Sequence, residues 1–313
     1  MPISACAFSI VSTELDIPAA ERSIAICVDD FGLHRGINQA VLQLAQRGRI
    51  SATSCMVGAP AWPQGAVALR ELDARGIDVG LHLDLTERPL NPSMRKPLAQ
   101  WLALATVRAP GRDALRAELN AQLDCFEQAL GRTPAHVDGH QHVHQLPVIR
   151  DLLVELLAER HRNRLPWLRR TRRPPGTAGF GKPWLIEQLG CAELSRLAQE
   201  GGFAQNRSLL GVYGFGGSAP DHLGRLTKWL QAAQPGDLLI CHPAAAADPG
   251  ADDAILPARL REYGVLAGDA FGELLARTGL RVAPLSSTLP LCAADSGSYA
   301  PRPRRRERVS GKT

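Results

Sequence analysis

The sequence predicts an α/β protein built as one (β/α) barrel-like domain, a distorted TIM-type barrel with parallel strands inside and helices outside. Three observations predict it. Short β-rich runs alternate with helical patterns from residue 23 to residue 285, the order that builds a parallel sheet from βα units. At 313 residues, with 45% hydrophobic and 21% charged residues, the chain can bury one substantial core. Polar residues able to do chemistry stand at the ends of the apolar runs, where a parallel barrel carries its active site. A doubly wound open sheet is the alternative topology.

Eight strands are expected in order. They are "SIAICVD" near 23–29, "ISATSCMVG" near 50–58, "DVGLHLDL" near 78–85, "AHVDGHQH" near 135–142 and "PWLRRT" near 166–171, then "SLLGVYGF", "GDLLICH" and "LRVAPL". Between them, "GINQAVLQLAQRG" sets Ile37, Val41 and Leu44 at helical spacing, and "RDALRAELNAQLDCFEQALG" does so with Leu115, Leu119, Leu123 and Phe126. Each ends in a glycine, Gly48 and Gly131, where a left-handed cap is expected. The proline-bearing stretches 86–111 and 172–183 read as long loops. The expected layout is an N-terminal extension over 1–22, the barrel over 23–290 and a basic tail over 291–313.

Charge and cysteine usage narrow the class. Residues 295–313 hold six Arg and Lys against Asp295 and Glu307, so the formal charge of +5 resides mostly there. That tail is rich in Pro, Ser and Gly and is expected to be disordered, and no nucleic-acid partner is expected. Seven cysteines without a CxxC pair read as reduced thiols. The first residues carry Glu14 and Asp16 where a secretory leader stays neutral, and no apolar run is long enough to span a bilayer. A cytoplasmic protein without a membrane span is the expectation.

The chemistry collects at strand ends. Asp29 and Asp30 close the first apolar run; two buried acids there call for a cation, though either alone could cap the next helix. His82 stands in an apolar strand, where a lone histidine is more often a core residue than a ligand. The nonapeptide "HVDGHQHVH" carries His136, Asp138, His140, His142 and His144 at steps of two, which an extended strand would place on one face. Alternate residues of a strand lie about 6.6 Å apart, so one ion takes one or two of these imidazoles. His242 ends the run "LLICHP", with a core or capping role as its alternative. Imidazole with carboxylate is a common divalent-metal set.

The segments "CVDDFGLHRGINQAV", "GRISATSCMV", "VGLHLDLT", "RTPAHVDGHQHVHQLP" and "LLICHPA", in this order, resemble the YdjC-like carbohydrate deacetylases. The resemblance covers residues 23 to 285 and implies a metal-dependent N-deacetylase of amino sugars. It implies Asp30, His82 and His140 as ligands of a divalent ion, Mg²⁺ or Zn²⁺. Asp29 would be the catalytic base, His242 the general acid and Arg169 the residue that orients the base, with His142 and His144 left for substrate. Its implied partner is an N-acetylated sugar or glycolipid, and it leaves a homodimer open. Two departures stand out: His34 stands where members of that family often have Ser or Thr, and Gly139 where they often have Ser. Seven arginines between Arg160 and Arg173, with no acid among them, leave both an anionic substrate and a solvated face open. The rival readings are a metal-dependent amidase or phosphoesterase on a non-sugar substrate and a catalytically silent metal-binding scaffold.

Overall fold

In the computed structural model, which describes residues 22–289 apart from 74–75, 108–110, 178 and 250–251, eight strands form one sheet. They are β1 (Ser23–Phe31), β2 (Ala52–Cys55), β3 (Asp78–Leu83), β4 (His136–Gly139), β5 (Trp167–Leu168), β6 (Leu209–Leu210), β7 (Leu238–Cys241) and β8 (Arg281–Val282). Every pairing among them is parallel, in the order β5-β4-β3-β2-β1-β7-β6, with β8 paired to the start of β1. This is a barrel's cyclic order cut between β5 and β6, where an isolated bridge joins Leu168 to Gln205. A doubly wound sheet would instead reverse its strand order at an interior strand.

The helices described are α1 (Arg35–Gln46), α2 (Trp62–Asp73), α3 (Leu98–Thr106), α4 (Arg112–Leu130), α5 (Ile149–Arg160), α6 (Lys182–Gln188), α7 (Cys191–Glu200), α8 (Ala219–Ala232), α9 (Leu256–Ala267) and α10 (Asp269–Thr278). Strand pleat explains how they pack. On β1, Ile24, Ile26 and Val28 face Ile37, Val41 and Leu44 of α1, while the smaller Ala25 and Cys27 join Ala52, Trp167, Leu238 and Ile240 in the lumen. Two residues per period therefore separate a helix-facing layer from a lumen-facing one.

Several expected elements are shorter or different. The fourth strand stops at Gly139 rather than 142, because Gln141 (φ +51°) and His142 (φ +61°) turn left-handed inside a short 3-10 segment, His140–Gln145. The histidine cluster is thus not one extended face. The sixth strand is cut to two residues by Gly211 (φ +92°), whose missing side chain leaves room for the carbonyl of Ile240. The expected loop 86–111 contains α3, anchored by buried Trp101, whose indole donates to the Leu85 carbonyl. Gly131 (φ +70°) caps α4 as expected, and Gly48 (φ +64°) turns the chain after α1. Cys27, Cys55, Cys125, Cys191 and Cys241 are free. None of the described helices is long and apolar enough to cross a membrane. The N-terminal extension through residue 21 and the basic tail from 291 lie outside the described residues.

Candidate metal and catalytic site

The pleat brings the chemistry to one place. Counting in steps of two from the lumen-facing positions, Asp29, Ser54, His82, His136, Asp138, Arg169 and His242 all belong to the inner layer. Asp30 does not: by parity it should enter the apolar helix layer beside Val28. A bulge in β1 prevents this, since the pairing with β2 shifts register between Val28 and Phe31 and Asp30 takes φ +68°. An aspartate tolerates that left-handed geometry better than a branched residue. The bulge turns two consecutive acids toward the same cluster of polar side chains.

Each acid then meets different company. Asp30 Oδ1 lies 2.9 Å from His140 Nδ1 and 3.3 Å from His82 Nε2, and Asp30 Oδ2 lies 2.7 Å from an Arg259 amino group. Asp29 is held by both Arg169 amino groups, each at 2.6 Å, and its Oδ2 lies 3.9 Å from His242 Nε2. Arg169 is fully buried, and its NH2 group also reaches Asp138 Oδ2 at 2.5 Å. Asp138 accepts from Ser54 Oγ at 2.6 Å and from His82 Nδ1 at 2.6 Å. The last contact follows from register, because His82 and Asp138 are direct partners in the β3–β4 ladder.

Asp30, His82 and His140 each offer a ligand atom, all within 4.8 Å of one another. Adjacent donors around a six-coordinate ion with bonds of about 2.1 Å lie about 3 Å apart. The Asp30–imidazole separations of 2.9 and 3.3 Å therefore fit a divalent ion. With Nδ1 donating to Asp138, His82 turns its other nitrogen to Asp30, the carboxylate–histidine arrangement that orients metal ligands. Asp29, His82 and Asp138 are also close, but Arg169 already occupies both of those carboxylates.

Electrostatics follow burial and partners. Burial alone would lower His82, but Asp138 lifts it to about 9. Burial works to raise Asp30, and Arg259 and His140 overcome it and hold the carboxyl well below the usual range. Burial lowers His242, against the pull of Asp30, Asp29 and Glu262. His144 is fully buried, donates from Nε2 to the Arg169 carbonyl at 3.1 Å, and is pushed by burial down to about 4. His142 is half-buried beside it, with ring centroids 6.5 Å apart. Gly139 faces His144 so closely that a Cβ would lie 2.9 Å from its backbone nitrogen, a reason for glycine there.

Four contributors escaped sequence reasoning: Ser54, Glu87, Arg259 and Glu262. Glu87 reaches His140 Nε2 at 3.1 Å from the loop after β3. Arg259 joins Asp30 to Asp253, which also contacts His34 Nε2 at 2.9 Å. Buried Glu262 accepts the His242 backbone N–H at 2.6 Å. Arg259 and Glu262 share one face of α9, and a charged pair at that spacing reads in sequence as solvent-facing. Of the arginine run, Arg160 pairs with Asp124 and Glu127, Arg173 pairs with Glu187, and Arg169 enters the site.

Residues 23–277 match the family model described as YdjC-like protein. Among curated relatives, a chitooligosaccharide deacetylase of Enterobacter sp. (strain 638) is 32% identical over 146 residues, 45% of this chain and 57% of that protein. One from Proteus mirabilis (strain HI4320) is 33% identical over 143 residues, 44% and 56%. The matched segment thus spans little more than half the length of these relatives. Among solved structures, a protein of Enterococcus faecalis V583, named for cellobiose-phosphate cleavage, aligns with a TM-score of 0.66 at 20% identity. That alignment covers 86% of this chain and 99% of the other, and it supports the barrel-like fold.

Proposed function

The chain belongs to the YdjC-like protein family, and on that premise we propose that it is a metal-dependent hydrolase removing N-acetyl groups from amino sugars. The observation that carries this is that two separate devices stand side by side. Asp30, His82 and His140 form a ligand set, and beside it stand an arginine-clamped carboxylate, Asp29, and an imidazole, His242. A bound Mg²⁺ or Zn²⁺ would supply Lewis acidity and a more acidic water.

The remaining work falls to side chains of the chain itself. Asp29 accepts the proton of the attacking water; Arg169 fixes both its oxygens, and Cys27 Sγ adds a second contact to Oδ1 at 3.6 Å, which leaves Oδ2, on the His242 side, as the oxygen that takes the proton. Asp138 and Ser54 secure Arg169 and His82 from behind. Breaking the C–N bond needs a proton on the departing nitrogen, and in this reading His242, whose Nε2 lies 3.9 Å from Asp29 Oδ2, gives it. His142 is the substrate-facing member of the histidine cluster in this reading, and fully buried His144 supports Arg169. An N-acetylglucosamine oligomer or a lipid-linked amino sugar is the proposed substrate.

The test is release of free amine and acetate from such compounds by protein stripped with chelator and reloaded with Mg²⁺ or Zn²⁺ separately. Turnover that needs the metal is expected. Metal-independent turnover, or hydrolysis of phosphate esters in place of acetamides, would sink the assignment.

A further inference from the structure

The site's imidazoles are held in different ways. His82 has Asp138 behind it, His140 has Asp30 and Glu87, and His144 has the Arg169 carbonyl. His242 Nδ1 is buried without a hydrogen-bond partner among the described residues. Its backbone N–H is fixed by Glu262, but a main-chain bond leaves the ring free to turn. An aromatic ring packs against it: Phe215 stands edge-on, with centroids 5.2 Å apart and planes at 89°.

Phe215 lies in "GVYGFGG", residues 211–217, after β6, and takes φ +61°. For a bulky residue that region is strained, and strain of this kind persists where the surroundings impose it. They do so here. Its carbonyl accepts from Arg261 at 2.5 Å, and the Lys182 ammonium lies 4.6 Å over its ring. Tyr213, with its ring 5.0 Å away, donates its hydroxyl to Glu262 Oε1 at 2.5 Å. One buried carboxylate thus ties the His242 main chain and the aromatic loop together.

We propose that Phe215 is a positioning residue for His242, its ring blocking rotation of the imidazole and keeping Nε2 on the Asp29 side. A carboxylate behind a histidine sets orientation by direction; a ring sets it by bulk. This rests on the deacetylase reading. In that reaction the water oxygen forms the new bond to the acetyl carbon and Asp29 takes a proton of that water. The C–N bond breaks with its electron pair going to nitrogen, which receives the proton from His242. Only the last step needs the imidazole in place.

The test compares Phe215→Ala and Phe215→Leu with the wild type on two acetyl donors, an N-acetylglucosamine oligomer and 4-nitrophenyl acetate, whose phenolate leaves without a proton. Because general acids contribute about 10²- to 10⁴-fold, Phe215→Ala is expected to lose about 10- to 100-fold in kcat on the amide with KM unchanged. The loss on the ester should be at least tenfold smaller, metal content should be unchanged, and Phe215→Leu should recover part of the amide rate. Equal losses on both donors, or none on the amide, overturn the proposal. A readout independent of turnover is a crystal structure of Phe215→Ala: His242 should leave the Asp29 side or spread over several rotamers. A single retained rotamer facing Asp29 overturns the proposal whatever the rates. A wild type that releases no amine counts against the deacetylase reading and leaves this crystallographic test standing.

Discussion

Arg169→Met removes the charge at the centre of the site while keeping a long side chain in place. Arg169 is fully buried and spans Asp29, through two contacts of 2.6 Å, and Asp138, at 2.5 Å. Taking one partner from a buried ion pair costs about 3–5 kcal/mol, because a charge is left uncompensated in low dielectric. Here two carboxylates lose their shared cation, so the expected loss at neutral pH is about 5 kcal/mol. For a chain of this size each kcal/mol moves Tm by about 2–4 °C, which puts the fall at about 10–20 °C. The pH dependence carries the diagnosis. Although burial works the other way, Arg169 and His82 hold Asp138 well below the usual carboxylate range. The wild-type contribution is therefore present above the unfolded value of about 3.9 and is lost only at strongly acidic pH. Without Arg169, burial is opposed by the histidines alone, His82 foremost, so the folded value of Asp138 rises from its wild-type position and protonation on acidification relieves the variant. The gap between variant and wild type should narrow from pH 7.5 to pH 5, measured by differential scanning calorimetry on metal-free protein. Adding Asp138→Asn to the variant should restore part of the Tm. A Tm within about 3 °C of wild type at pH 7.5, or a gap that widens with acid, would refute the reasoning.

The two adjacent acids should separate cleanly: Asp29→Asn keeps metal and loses about 10²- to 10⁴-fold in turnover, whereas Asp30→Asn loses metal affinity first and is partly rescued by excess metal. Calorimetric metal titration alongside rates checks this, and a reversed rescue pattern means that base and ligand have been exchanged. Gly80→Ala should destabilise by about 1–3 kcal/mol in urea unfolding, because the new Cβ would lie 2.4 Å from three atoms of the His136 ring, which is stacked 4.2 Å from Trp167. Gly264→Ala in α9, with nothing within 4 Å of the new Cβ, should instead stabilise by about 0.5–1 kcal/mol; equal effects at both positions would contradict the packing argument. Buried His144 titrates at about 4 when folded against about 6.5 unfolded, so its contribution is complete above pH 6.5 and is lost as pH falls toward 4, up to about 3 kcal/mol. His144→Asn should flatten the stability profile across that window, and an unchanged slope would show that this histidine is not its source.

How much was legible beforehand follows from the range of the interactions involved. The succession of strands and helices, and the inward set of Asp29, His82, Asp138 and Arg169, rest on alternation within single segments, and burial periodicity is local. Spacing alone left open which histidines of the cluster ligate, and the set Asp30, His82 and His140 came only from the resemblance to the YdjC-like deacetylases. Their convergence is another matter. Parity would send Asp30 into the apolar layer, and only the bulge between Val28 and Phe31, set by pairing with β2, turns it inward. His142 and His144 leave the strand face because the chain coils at Gln141, where space beside Gly139 is decided by packing rather than by propensity. Arg259 and Glu262 were invisible as site residues, since their partners Asp30 and His242 lie 229 and 20 residues away along the chain. A charge on a helix is cheap in water and costly when buried, and which applies depends on what the rest of the chain brings against it.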